Sequence, residues 1–147
     1  MVRDGVSRIA LVNFMSKDRK SLAQEDLHQR INKVVSMKER LEQEVASIHD
    51  SNQVAPPGCR IARYLAKGRQ AFYWYYKLQA TTPIFPTRSD GNLSKYKHLG
   101  KAGSQAYLEA IEQITARTKI EALDRSISAL KQGLKDLVEE ISKYNKE

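Results

Sequence analysis

The chain has 147 residues, is 41% hydrophobic and carries a formal net charge of +8. Its length suits one modest domain, and its apolar content excludes a wholly disordered chain. No apolar run approaches the roughly 18 residues of a membrane-spanning helix. The single cysteine, Cys59, excludes both an internal disulfide framework and a cysteine-based zinc finger, and points to a reducing, cytoplasmic setting.

Charge is segregated along the chain. Residues 1–20 carry a net +3, residues 21–50 a net −2 and residues 104–147 a net −1. Residues 51–103 hold nine Lys/Arg against one acid, Asp90, and eight of the eleven aromatic residues. The flanks are nearly balanced, so the middle accounts for the excess.

Residues 1–20 read as a basic N-terminal segment. The apolar run Ile9-Ala10-Leu11-Val12 is short, and Lys17, Arg19 and Lys20 follow it in place of a small-residue cleavage site, so no secretory signal is expected. A first helix is expected over 21–52. Ser21 with Gln24 fits a capping box, in which each side chain satisfies an unpaired backbone N–H. Leu27, Ile31, Val34, Leu41, Val45 and Ile48 then follow heptad spacing, with Lys38 in the skipped core position. Pro56-Pro57-Gly58 cannot continue this helix.

The middle segment, 53–103, changes period. Tyr64 to Ala66 reads as a short turn of helix. Ala71 to Gln79 is dense in aromatic strand formers. Alternation would bury Phe72, Trp74, Tyr76 and Leu78 and expose Tyr73, Tyr75, Lys77 and Gln79. Pro83 and Pro86 mark a loop or edge, Arg88-Ser89-Asp90-Gly91-Asn92 a turn, and Lys95 to Leu99 a returning strand ended by Gly100. A second long helix is expected over 104–147, capped by Ser104. Its seam is Ile120, Leu123, Ile127, Leu130, Leu134, Leu137 and Ile141, continuing to Tyr144. The expected fold is therefore mainly α with a small β-hairpin. Two long heptad-bearing helices, an antiparallel pair or a dimeric coiled coil, flank a basic aromatic head.

Little in the sequence calls for catalysis. The middle segment offers one carboxylate, too few for paired acid–base work. His28 and His49 read as solvated helix residues. A Cys59–His98 nucleophile has no supporting spacing. Gly100-Lys101-Ala102-Gly103-Ser104 lacks the first glycine and the Ser/Thr of a nucleotide-hydrolysing phosphate loop. Its glycines read first as a strand end and helix start, and second as an opening that favours an anion beside Lys101. No metal site and no cofactor are expected.

The basic aromatic segment carries the functional reading. Arg60, Arg63, Lys67, Arg69, Lys77, Arg88, Lys95, Lys97 and Lys101, with His98, Tyr73 and Tyr75, are the candidate nucleic-acid-binding residues. Cations that meet phosphates release counterions, and aromatic rings stack on bases. Part of the aromatic cluster must also serve a local core. The run Tyr73-Trp74-Tyr75-Tyr76-Lys77, then Lys95-Tyr96-Lys97-His98-Leu99-Gly100, then Ser104 and Ala106-Tyr107 with Ala110, resembles the strand–strand–helix pattern of AP2-type and integrase arm-type DNA-binding domains. That resemblance implies that Tyr73, Tyr75, Lys77, Lys95 and Lys97 face DNA while the helix braces the sheet. The chain departs from the pattern in the proline-containing loop 81–87 and in lacking a clear third strand. Pro57-Gly58-Cys59, the aromatic strand, Tyr96-x-His98-Leu99-Gly100-Lys101 and Arg117, Ile120 and Leu123 are similar to small bacterial proteins found with transposons and plasmids, which implies a mobile-element accessory role. Ile61 and Ala62 stand where such proteins often carry a second cysteine.

The expectation is a non-enzymatic nucleic-acid-binding protein, for DNA more than RNA, with its helices as scaffold or homodimer seam. The alternatives are a coiled-coil adaptor gripping an acidic protein partner, and a regulator or inhibitor of a nucleic-acid enzyme. No membrane partner is expected.

Overall fold

The computed structural model describes residues 4–89 and 91–145, with side chains from residue 19 onward. Asp90, expected at the centre of a turn, lies outside the described residues, as do the side chains of the apolar run at 9–15. The elements in chain order are α1 (Asp4–Ser51), β1 (Arg60–Lys67), β2 (Phe72–Gln79), β3 (Phe85–Pro86), β4 (Leu93–Ser94), β5 (Tyr96–Gly100) and α2 (Gln105–Asn145). The molecule is thus mainly helical with a small antiparallel sheet.

The helix expected from Ser21 begins at Asp4 instead. No proline interrupts the sequence before Ser21, so the helix runs straight through it. Ser21 therefore caps nothing: in a helix interior its neighbours' N–H groups are bonded to carbonyls four residues earlier. At the other end Asn52 closes α1, with both its backbone N–H and its side-chain Nδ2 donating to the Ile48 carbonyl, at 3.0 and 3.1 Å.

The chain divides into two compact units. The first joins Met1–Gln43 to Arg125–Glu147. Within it Leu27, Leu41 and Ile127 are buried, and Ile31, Val34, Leu130, Leu134, Leu137, Ile141 and Tyr144 are half-buried. Arg30 meets Glu140 at 3.5 Å, whereas the later Glu42 feels the charge of Lys131, so these helical segments run antiparallel. Lys38, in the skipped seam position, is half-buried along its stem while its ammonium donates to Glu42. A long cationic side chain can cover apolar surface in this way and keep its charge in water. That hydrogen bond holds the Glu42 carboxyl below the usual carboxylate range.

The second unit is Glu44–Asp124. Its sheet has the order β1-β2-β5, antiparallel throughout, and β3 pairs with β4 as a separate two-stranded ribbon. β1 is the third strand that the sequence did not disclose. Tyr64 to Ala66, read as a helical turn, lie within it, and the four residues Gly68 to Ala71 close a hairpin onto β2 with Gly68 N–H donating to the Ala71 carbonyl at 2.8 Å. The eight-residue match between Arg60–Lys67 and Phe72–Gln79 fixes the register from Arg60–Gln79 to Lys67–Phe72. The stretch read as loop or edge supplies β3, where Phe85 pairs with Ser94.

One side of the three-stranded sheet packs on α2. Leu78, Leu99 and Ala110 form the buried centre, with Cys59, Ile61, Tyr76, Phe85, Tyr107 and Ile114 packed around it. Burying a leucine of this kind contributes about 1.5–3 kcal/mol. Ser104 caps α2 as expected: its Oγ accepts the Tyr107 N–H at 3.2 Å and donates to the Leu99 carbonyl at 2.7 Å. The same hydroxyl thus ties the start of α2 to the end of β5.

Candidate functional site

Antiparallel pairing places residues that face one another across strands on the same side of the sheet. In this register Arg60, Ala62, Tyr64 and Ala66 of β1 share a side with Gln79, Lys77, Tyr75 and Tyr73 of β2, and Tyr96 and His98 of β5 continue it. This is the side opposite Leu78, away from α2. A β-bulge lies between Tyr76 and Lys77: Lys77 pairs with His98 but Tyr76 with Gly100, which leaves Leu99 as the extra residue. Gly100 takes φ +84°, a backbone region costly for any residue with a Cβ, and the chain after it turns Lys101 back over the open side.

The open side is a connected array of rings and cations. Tyr64 and Tyr75 stack with centroids 5.9 Å apart. The Tyr64 hydroxyl is 3.0 Å from His98 Nδ1, and the two rings meet edge to face. Lys77 Nζ lies 4.2 Å from the Tyr96 ring centre and 5.2 Å from that of Tyr64. Lys101 Nζ lies 4.1 Å above Tyr73 and 5.9 Å from Tyr75. A cation held over a ring face is attracted by the ring quadrupole, by about 0.5–1 kcal/mol at exposed sites. That attraction orders the lysines without neutralising them. Among the described residues, no ion pair involves any of the nine Lys/Arg of residues 51–103.

The register separates the sequence candidates into groups. Tyr73, Tyr75, Lys77, His98 and Lys101 come together on the open side, joined by Arg60 at its margin. Lys97 pairs with Leu78, and the Lys95 carbonyl accepts the Ala80 N–H at 2.8 Å, so these two lysines belong to the other side and stand exposed at its edge. The five residues that the resemblance set facing one ligand therefore do not share a face. Arg63 and Lys67 also lie on the Leu78 side, Arg69 in the β1–β2 loop, and Arg88 between β3 and β4.

Tyr64 and Tyr96 join the array although neither was among the candidates. The signal for Tyr64 was the equal length of two strand-sized stretches around a short Gly-containing loop. The expected burial of Phe72 and Trp74 is also corrected. They share a side with Leu78, but α2 packs on the Tyr76–Leu78–Leu99 end of that side, where Tyr107 meets Tyr76 edge to face at 4.8 Å. Phe72 is 63% and Trp74 48% exposed.

Cys59 and His98 are not brought together. Cys59 packs on the Leu78–Leu99–Ala110 cluster, and His98 is held by Tyr64 on the opposite side. Burial pushes the Cys59 thiol up, against a smaller opposing effect of Arg117, so its thiolate is disfavoured. Among the described residues no three His, Cys, Asp or Glu side chains are grouped to hold a metal ion, and no helix is long and apolar enough to cross a membrane.

Fold and site define a mainly helical protein bearing a small antiparallel sheet. No protein-family model, curated protein or solved structure matches the chain.

Proposed function

We propose that the protein binds nucleic acid, DNA in preference to RNA, and acts by binding rather than by catalysis. The observation that supports this most is the open side of the sheet. Lys77 and Lys101 are ordered over tyrosine rings, His98 and Arg60 lie on the same side, and among the described residues no carboxylate forms an ion pair with them. These cations would displace the counterions condensed on the phosphates they meet, and the exposed Tyr73 and Tyr96 rings would contact sugars or bases. The helices act as a scaffold in the cytoplasm. The burial of Leu27, Leu41, Ile120 and Ile127 at seam spacing favours a coiled-coil interaction, within the chain or with a second copy. An accessory role on mobile DNA fits the sequence resemblance.

The test is fluorescence anisotropy with duplex DNA, single-stranded DNA and RNA between roughly 50 and 200 mM salt. Duplex DNA is expected to bind best. Log affinity should fall with log salt by about 0.9 per phosphate contacted. Changing Arg60, Lys77 and Lys101 together to Glu should weaken binding on all sequences and flatten that slope by about one for each lost contact. Unchanged affinity in the triple variant would show that the surface is wrongly assigned. Absence of binding by all three ligands at the lowest salt would end the nucleic-acid reading.

A further inference from the structure

The Leu78 side of the sheet has a second region that α2 does not cover. Leu65, Phe72 and Trp74 lie there together, since Leu65 pairs with Trp74 and Phe72 with Lys67 in the β1–β2 register. They are 52%, 63% and 48% exposed, three large apolar side chains in one patch at the hairpin end. Water contact on this much apolar surface is costly, and exposed apolar patches of this kind commonly mark interaction sites. The surrounding charge narrows the partner. Arg63 places its guanidinium carbon 4.2 Å over the Trp74 ring, Lys67 stands opposite Phe72, and Arg69 is in the adjoining loop. None of the three is in an ion pair among the described residues. A patch of flat rings framed by unneutralised cations complements an anionic chain that carries flat apolar groups. A polynucleotide with unpaired bases is such a chain: its phosphates meet the cations and its bases stack on the rings. A duplex keeps its bases stacked internally and offers none to the patch.

We infer that Phe72 and Trp74, with Arg63, form a stacking site for unpaired DNA bases, separate from the Tyr64–Lys77–Lys101 array. The inference rests on the nucleic-acid reading and deepens it: the preferred ligand becomes duplex DNA that continues into an unpaired strand.

Trp74 is the only tryptophan in the chain, so its emission reports on this patch alone. Three probes suffice: a duplex of about 20 base pairs, the same duplex with about six unpaired thymidines at one end, and oligothymidine alone. The overhang should quench Trp74 emission and tighten binding roughly 5- to 150-fold over the blunt duplex, the range expected for one stacked base. Phe72→Ala, which keeps the reporter, and Trp74→Ala should each remove most of that preference while leaving blunt-duplex affinity in place. If the blunt duplex binds but the overhang adds neither affinity nor quenching, the stacking site is refuted and the proposed function survives. If oligothymidine quenches Trp74 while the blunt duplex does not bind, the stacking site stands and the duplex reading falls. If no probe binds, both fail.

Discussion

Lys101 and Tyr73 illustrate how much one contact depends on a residue that does not take part in it. The Tyr73 ring lies against Gly68, where an added Cβ would sit 2.6 Å from its Cε2 and 2.7 Å from its Cδ2. Carbon atoms do not approach so closely, so Gly68→Ala must swing the ring away from Lys101. Tyr73 is partly exposed and free to move, so the cost in stability is small, but the 4.1 Å cation–ring contact is lost. Ring-current shifts on the Lys101 ε-methylene protons measure this directly: they are expected in the parent chain and absent in Gly68→Ala. Unaltered shifts would mean that Gly68 does not position Tyr73. At this scale the sequence was only partly informative. It disclosed which residue types were concentrated in the middle segment, and alternation put Tyr73, Tyr75 and Lys77 on one side. It did not disclose that Lys95 and Lys97 face the other way, because their side depends on a register with β2 that only the folded sheet defines.

Among the elements, the helices were the more legible. Their apolar spacing is regular over many turns, and both long helices are present in the structure. The start of α1 was misplaced because Ser21 and Gln24 match a capping pattern that works only at a helix end, and nothing before Ser21 breaks the helix. β1 was missed because Arg60–Lys67 mixes alanines and cations without clean alternation; its identity comes from pairing with β2. Ser104 was placed correctly, since the glycine before it and the periodic stripe after it agree. Because its hydroxyl both caps α2 and reaches Leu99, Ser104→Ala removes two hydrogen bonds of a half-buried group. The expected loss is about 0.5–2 kcal/mol, the range for a cap deletion. Urea denaturation would measure it as a lower midpoint at unchanged slope. A midpoint equal to that of the parent would remove Ser104 from the account of how the sheet and helix are joined.

For the molecule as a whole, charge and fold divide along similar lines. The helical flanks carry nearly balanced charge, and their described ion pairs, Arg30 with Asp26 and Glu140 and Lys38 with Glu42, are internal to them. The sheet segment carries nearly all of the net charge, and three of its cations, Arg63, Lys77 and Lys101, lie over rings, with no ion pair to a carboxylate among the described residues. Like charges kept unneutralised repel one another and weaken the compact state, so the arrangement costs stability unless a polyanion is bound. The composition already disclosed this asymmetry; the pairing of Arg63, Lys77 and Lys101 with particular rings required the structure.

Ala55 carries a separate consequence. It follows α1 in an irregular stretch, yet it is fully buried, its N–H donates to the Gln113 carbonyl at 3.1 Å, and its carbonyl accepts from Arg117 Nε at 2.7 Å. Backbone outside regular structure ordinarily trades its amide protons with solvent quickly, because small local openings suffice. At Ala55 no small opening will do: the loop must leave α2 altogether. Its amide should therefore exchange as slowly as those in the middle of α2, in contrast to the amide of Gln53 two residues before it. Arg117→Ala should accelerate Ala55 selectively, whereas fast exchange at Ala55 in the unmodified protein would show that the loop detaches from the helix without wider unfolding.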